Sequence, residues 1–141
     1  MSDSFSNRFI VPIRVYYEDT DAGGVVYHAS YIRFMERART EWLRELGFNQ
    51  TTLMTTLKIA FAVRSLSVEY QKPARFDDLI YASASIQEMG RASITFEQTI
   101  TRQNAEGVAE LLVTASVKVV CVHIEKFKSI AIPAEIRSLL A

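Results

Sequence analysis

The sequence has a single cysteine, Cys121, in 141 residues. No intrachain disulfide can form and no multi-cysteine metal site exists. Charge of either sign is not in surplus: sixteen Lys and Arg offset sixteen Asp and Glu. A chain without a net field has no global attraction for nucleic acid or an anionic membrane, so neither is expected as a partner. No window approaches the roughly 18 uninterrupted apolar residues of a membrane span. The opening Met1-Ser2-Asp3-Ser4-Phe5 lacks the basic start and apolar run of a secretory signal, and a cytoplasmic location is the expectation. Repeats, low-complexity tracts and linkers are missing too, which points to a single domain over residues 1–141. With 49% hydrophobic and 23% charged residues, a chain of this length can bury a real core.

Familiar chemical signatures are also scarce. There is no Gly-Lys-Ser or Gly-Lys-Thr phosphate loop, no nucleophile elbow and no His-Glu-x-x-His pair. Asp19, Asp21 and Gly24 match positions 1, 3 and 6 of a calcium loop, but Gly23 and Ser30 stand where a fifth-position ligand and a bidentate Glu are needed. Cys121 and His123 lie two apart on a strand with no third partner in view, and read as a buried thiol beside a strand-end histidine.

What is present is organised around one corner, Asp19-Thr20-Asp21-Ala22-Gly23-Gly24-Val25, followed by Val26-Tyr27-His28. A strand-like run, Phe9 to Glu18, leads in; Pro12 within it argues for an edge position or a bulge. A helix leaves, from about Ala29 to Leu46. Tyr31, Phe34, Met35, Ala38, Trp42 and Leu46 recur at steps of three and four, and Gly47 suits the helix end. Residues 50 to 57 read as a short helix or loop. The period then becomes two. Ile59, Phe61 and Val63 give way to Leu66, Val68 and Tyr70, a phase change that predicts a bulge near Arg64. Two further strands follow, Leu79 to Glu88 and one carrying Ile94, Phe96, Gln98 and Ile100. A long one from Val108 to His123 has Ala109, Leu111, Val113, Ala115, Val117, Val119 and Cys121 on one apolar face. Pro133 opens a short terminal helix. The pattern predicts an α+β fold, with four consecutive strands joined by hairpin-type turns and about five strands wrapped around one long helix. So thin a core with free edges favours self-association.

The corner admits two readings. A carboxylate beside a helix start can attack a thioester carbonyl or draw a proton from water, while the helix N–H groups hold the oxyanion. Alternatively, Asp19 or Asp21 caps the helix.

The run Val15 to Tyr31, the helix text Glu36-Arg37-Ala38-Arg39-Thr40-Glu41, Val68-Glu69-Tyr70 and Pro73-Ala74-Arg75 resemble the 4-hydroxybenzoyl-CoA thioesterase branch of the hotdog-fold superfamily. They are most similar to the tol-pal-associated acyl-CoA thioesterases of Gram-negative bacteria. The resemblance implies a hotdog fold and dimers, often paired into tetramers, with active sites between subunits. It implies acyl-CoA as substrate, without metal or cofactor. Asp21 becomes the catalytic carboxylate, and the backbone N–H of His28 the group that polarises the thioester carbonyl. Gly24 and Val25 become the substrate-contacting residues of the corner. Benzoyl-specific members carry tyrosine where this chain has His28, which argues for an aliphatic acyl chain and leaves the His28 side chain to catalyse or to orient the corner. Phe61 and Val63 align with the strand lining the acyl pocket from the neighbouring subunit; the plainer reading is core packing. Arg91 falls where the benzoyl enzyme grips the nucleotide phosphates, though here it stands alone between Gly90 and Ala92, as a surface arginine would. Arg75 is a weaker candidate.

Two rival functions accompany this reading. One is hydration or dehydration of an acyl thioester by His28 with Glu36. The other is docking of acyl carrier protein or envelope-lipid enzymes on a basic face formed by Arg33, Arg37 and Arg44.

Overall fold

The computed structural model describes residues 8–140, so the expectation about Met1 to Phe5 lies outside the described residues. In chain order it has β1 (Phe9–Arg14), α1 (His28–Glu45), β2 (Ile59–Tyr70), β3 (Leu79–Met89), β4 (Ser93–Gln103), β5 (Ala109–His123) and α2 (Ala134–Leu140). A short helical stretch and a π turn occupy Gln50–Leu57.

α1 is helical because its apolar residues share one stripe. Tyr31, Phe34, Met35, Ala38 and Trp42 are all buried, joined by Leu43. Phe34 and Met35 are fully enclosed, each worth roughly 1.5–3 kcal/mol of transfer free energy. The helix starts one residue before the periodicity indicates, at His28. It closes where Gly47 takes φ +101° and the Phe48 amide reaches back to the Leu43 carbonyl. Eighteen residues give it a length of about 27 Å, enough to cross the sheet.

The five strands form one antiparallel sheet in the order β1-β3-β4-β5-β2, with α1 packed against it. Ile94, Phe96, Gln98 and Ile100 of β4 all face inward. Gln98 is the polar member of that row and is fully satisfied. Its Nε2 donates to the Met35 and Ser83 carbonyls, and its Oε1 accepts from Arg39. Helix and sheet are thereby pinned together at their centre. Pro12 does lie on an edge strand, since among the described residues β1 pairs with β3 alone. The ladder skips Arg64, placing a bulge where the phase change predicts one.

Two expectations need correction. The apolar face of β5 does not run unbroken to Ala109. Ile100 pairs with Val113 and Thr101 with Leu111, so Leu112 is an extra residue. That bulge turns Leu112 inward beside Val113 and leaves Leu111 and Ala109 exposed. Nor are the last four strands a run of hairpins. β2 pairs with β5 at one edge, whereas β3 sits between β1 and β4. Residues 71–78 must therefore carry the chain across the sheet. The Gln71 and Lys72 amides donate to Leu112 O, the carbonyl of the bulged residue, which starts the crossover.

Candidate active site

The corner is a small built structure. Asp19 is buried, and its Oδ2 accepts the Tyr16 amide at 2.8 Å across a single 3-10 turn. Its carbonyl takes the Tyr27 amide at 2.9 Å and the Ser30 hydroxyl at 3.2 Å. Asp21, by contrast, is exposed. Its Oδ1 accepts the Gly23 amide at 2.8 Å, and Gly24 completes the turn at φ +81°, a conformation that favours glycine. The residue preceding α1 is Tyr27, and it makes no side-chain cap. Neither acid caps the helix; Asp19 serves the 3-10 turn and Asp21 its own turn. Among the described residues, the His28 and Ala29 amides have no hydrogen-bond partner, as expected of a helix start, whose free N–H groups carry partial positive charge.

The crossover supplies the facing wall. Val26 donates to the Ala74 carbonyl at 2.9 Å, Phe76 to the Gly24 carbonyl at 3.4 Å, and Val25 bridges to Arg75. Arg102 holds the crossover to the sheet, bonding Asp78 at 2.7 Å and the Pro73 carbonyl at 3.3 Å from one nitrogen and Glu110 at 2.9 Å from the other. Lys72 joins Glu110 at 2.8 Å. These two cations, Lys72 first, hold the Glu110 carboxyl below the usual carboxylate range.

Between corner and crossover lies a cavity of about 270 Å³, lined by Asp21, Val26, His28, Tyr31, Tyr70 and Lys72 among others. Asp21 and His28 are thus brought together. The His28 ring packs against Tyr27 and Tyr70, with centroids 4.4 and 6.2 Å away, and the Tyr70 hydroxyl donates to the His28 carbonyl at 3.2 Å. Gly24 and Val25 shape the corner beside this cavity without being among the residues that line it.

Phe61 and Val63 are elsewhere. They line a second cavity of about 70 Å³ together with Glu36, Arg39, Leu43 and Leu140. Arg91 sits in the β3–β4 hairpin with its side chain exposed and its carbonyl engaged by Ile132 and Arg137. One chain therefore does not bring Phe61, Val63 or Arg91 to Asp21. The pairing of His28 with Glu36 also fails to form. The two lie eight residues apart on α1, about 12 Å along its axis, and line separate cavities. Cys121 is enclosed, and burial pushes its thiol up to about 11, far from a thiolate nucleophile at neutral pH. The His123 Nδ1 is engaged by the Glu125 amide.

Sequence reasoning missed Tyr31, Tyr70 and Lys72 as cavity residues. Tyr31 reads as one more member of a buried stripe. Tyr70 and Lys72 become cavity walls once β2 is followed by a crossover in place of a hairpin, and no local pattern announces that.

One antiparallel sheet around one helix, with an acid-bearing corner at the helix start, is the hotdog arrangement. The chain belongs to the thioesterase superfamily, whose family model matches residues 23–109. It is 47% identical over 132 residues to the acyl-CoA thioesterase YbgC of Haemophilus influenzae, covering 94% of this chain and 93% of that one. It is 53% identical over 125 residues to the acyl-CoA thioester hydrolase YbgC of Escherichia coli O6:H1, covering 89% and 90%. Its fold matches that of 4-hydroxybenzoyl CoA thioesterase from Pseudomonas sp. strain CBS-3, with a TM-score of 0.85 at 20% identity over 94% of this chain and 98% of that one. Among the described residues, no helix is long and apolar enough to cross a membrane.

Proposed function

We propose that this single domain is an acyl-CoA thioesterase that cleaves aliphatic acyl thioesters to the free acid and coenzyme A, with Asp21 as its working carboxylate. The observation that carries this reading is the meeting of Asp21 at one cavity with His28, the first residue of α1, whose amide has no hydrogen-bond partner among the described residues. Asp21 takes a proton from water, whose oxygen adds to the thioester carbonyl carbon, or its own oxygen adds there and forms an anhydride that water then opens. In both routes the carbonyl oxygen gains negative charge, which the free N–H groups accept. The C–S bond breaks, and the thiolate leaves and takes up a proton. The names of the relatives support acyl-CoA as the substrate class. The His28 ring, packed between Tyr27 and Tyr70, orients the helix start.

The complete site needs a second copy. Among the described residues one edge of β2 is unpaired, and its Val63 and Leu66 are 52% and 39% exposed. One end of this strand, at Phe61 and Val63, lines the small cavity; the other end, at Tyr70, lines the cavity of Asp21. Antiparallel pairing of two β2 strands sets each protomer's small cavity against its partner's corner. The acyl chain then passes from the corner of one subunit into the α1–β2 chamber of the other, and Arg91 is left free to meet nucleotide phosphates at the rim. The carrier-docking alternative gains no support. Arg44 pairs with Glu41, and Glu36, Glu41 and Glu45 interleave with Arg33, Arg37 and Arg44 along α1, so the helix presents no uniform basic face.

The test is thiol release from a series of acyl-CoA thioesters by the native protein and by Asp21→Asn, which keeps the shape and the hydrogen bond to Gly23. The expected result is a fall of about 10²–10⁴ with an unchanged circular dichroism spectrum. Activity that survives the substitution removes Asp21 from the chemistry.

A further inference from the structure

α2 has no part in the reaction proposed above, yet it is closely held. Its Arg137 donates to the Gly90 and Arg91 carbonyls at 2.6 and 3.0 Å, and just before the helix the Ile132 amide donates to the same Arg91 carbonyl at 3.0 Å. Ile132 and Ile136 anchor the segment in the core. Leu140, one turn beyond Ile136, is 2% exposed and forms part of the wall of the small cavity. The other apolar walls, among them Leu43 of α1, Phe61 of β2, Phe96 of β4 and Val119 of β5, belong to elements fixed by the sheet and the long helix. Leu140 is the member of the apolar lining that comes from a short segment latched to a hairpin.

We propose that α2 is the end-stop of the acyl chamber and that Leu140 sets the longest acyl chain the enzyme accepts. This rests on the reading of the α1–β2 cavity as the acyl chamber. At about 70 Å³ the chamber is several times the ~10–15 Å³ that one water needs, but it cannot hold a long chain as it stands. A chain that enters past Val63 and Phe61 meets Leu140. Glu36, Arg39, Thr40 and Gln50 make part of the lining polar, but Leu140 and the facing Leu43, Phe61 and Phe96 are apolar, so methylenes added along them are favourable until they collide with Leu140. Shortening this side chain lengthens the chamber without touching Asp21, His28 or the crossover.

The experiment compares kcat/KM for straight-chain acyl-CoA from acetyl to dodecanoyl in the native enzyme, Leu140→Ala and Leu140→Phe. Leu140→Ala is expected to move the optimum to longer chains and raise kcat/KM for the first excluded length by about tenfold, chiefly through KM. Leu140→Phe moves it the other way. Arg137→Met, which releases the latch and keeps the leucine, broadens the profile toward longer chains. An unchanged profile, or a uniform fall at every length, overturns the proposal and leaves Leu140 a packing residue. If Leu140→Ala fails to fold, Leu140→Phe and Arg137→Met decide by the same criteria. A native enzyme that hydrolyses no acyl-CoA at all refutes the thioesterase reading itself, whereas hydrolysis with an indifferent length profile refutes the end-stop alone.

Discussion

Tyr31 and Ala74 are joined across 43 residues by a 2.8 Å hydrogen bond in which the Ala74 amide donates to the Tyr31 hydroxyl. The bond ties α1 to the crossover at the back of the Asp21 cavity. Ala74 is fully buried, so its amide has no exposed alternative. Burial raises the Tyr31 phenol above its ordinary value, which keeps it neutral at physiological pH. Tyr31→Phe leaves the amide unpaired at a cost of about 1–3 kcal/mol. The midpoint of urea unfolding should fall accordingly, and thioester hydrolysis should weaken because the cavity wall is less well placed. An unchanged midpoint would mean that water reaches the Ala74 amide.

The orientation of the Asp21 carboxylate depends on a neighbour without a side chain. A Cβ built at Gly23 lies 3.3 Å from Asp21 Oδ1, tighter than ordinary contact. Gly23→Ala therefore displaces the carboxylate by a few tenths of an ångström. Misplacement of a reacting group by a full ångström can cost about 10² in rate, so a fall of roughly threefold to tenfold in kcat is expected here. Thermal stability should barely change, because Gly23 does not occupy a positive-φ conformation. A large loss of Tm with unaltered kcat would show that this glycine serves the fold and not the carboxylate.

The two acids of the corner mark how far the sequence could be read. Their spacing, the glycines and the helical stripe behind them located the turn that leads into α1, and the phase change at Arg64 located a bulge. Which acid is buried was not legible, because Asp19 and Asp21 differ only through a hydrogen bond to Tyr16 and a tertiary wall. The crossover was hidden for a related reason. Strand order is settled by long-range pairing of β2 with β5, and residues 71–78 carry turn signals that suit a hairpin equally well. Leu112 was missed because a bulge reverses the alternation that sequence patterns rely on.

Acid should loosen the crossover before it unfolds the sheet. Glu110 is the bridge between Lys72 and Arg102, and both hold its folded carboxyl below the reference value of 4.5. A depressed carboxylate contributes stability that is fully present above that unfolded value and is lost as pH falls through the folded one. Arg102 stays charged throughout this range: burial works against its charge, but the hydrogen bonds it donates to Asp78 and Glu110 raise it overall. Arg102→Met should thus lower Tm at pH 7 and reduce kcat/KM severalfold, with the Tm gap narrowing below about pH 4.5. Melting curves of both proteins across pH 3 to 7 check the sign. A gap that widens in acid is inconsistent with this clamp.

The free edge of β2 carries the strongest consequence for assembly. An edge strand that exposes Val63 and Leu66 offers unpaired backbone groups and apolar surface together, and soluble proteins normally protect such edges. Antiparallel pairing with a second copy satisfies both, and it is the arrangement that sets Phe61 of one chain against the corner of another. Leu66→Lys places a charge beside its own symmetry mate, and like charges directly opposite are destabilising. Because Leu66 is outside the core of the single chain, the fold should persist. Sedimentation velocity is expected to show the native protein as a dimer or larger assembly and the variant shifted toward monomer, with a matching circular dichroism spectrum. Hydrolysis should drop at least tenfold in the variant and recover partly at high protein concentration, since mass action restores the pair. A monomeric variant with full activity would place the whole acyl path within one chain and dismiss the shared site.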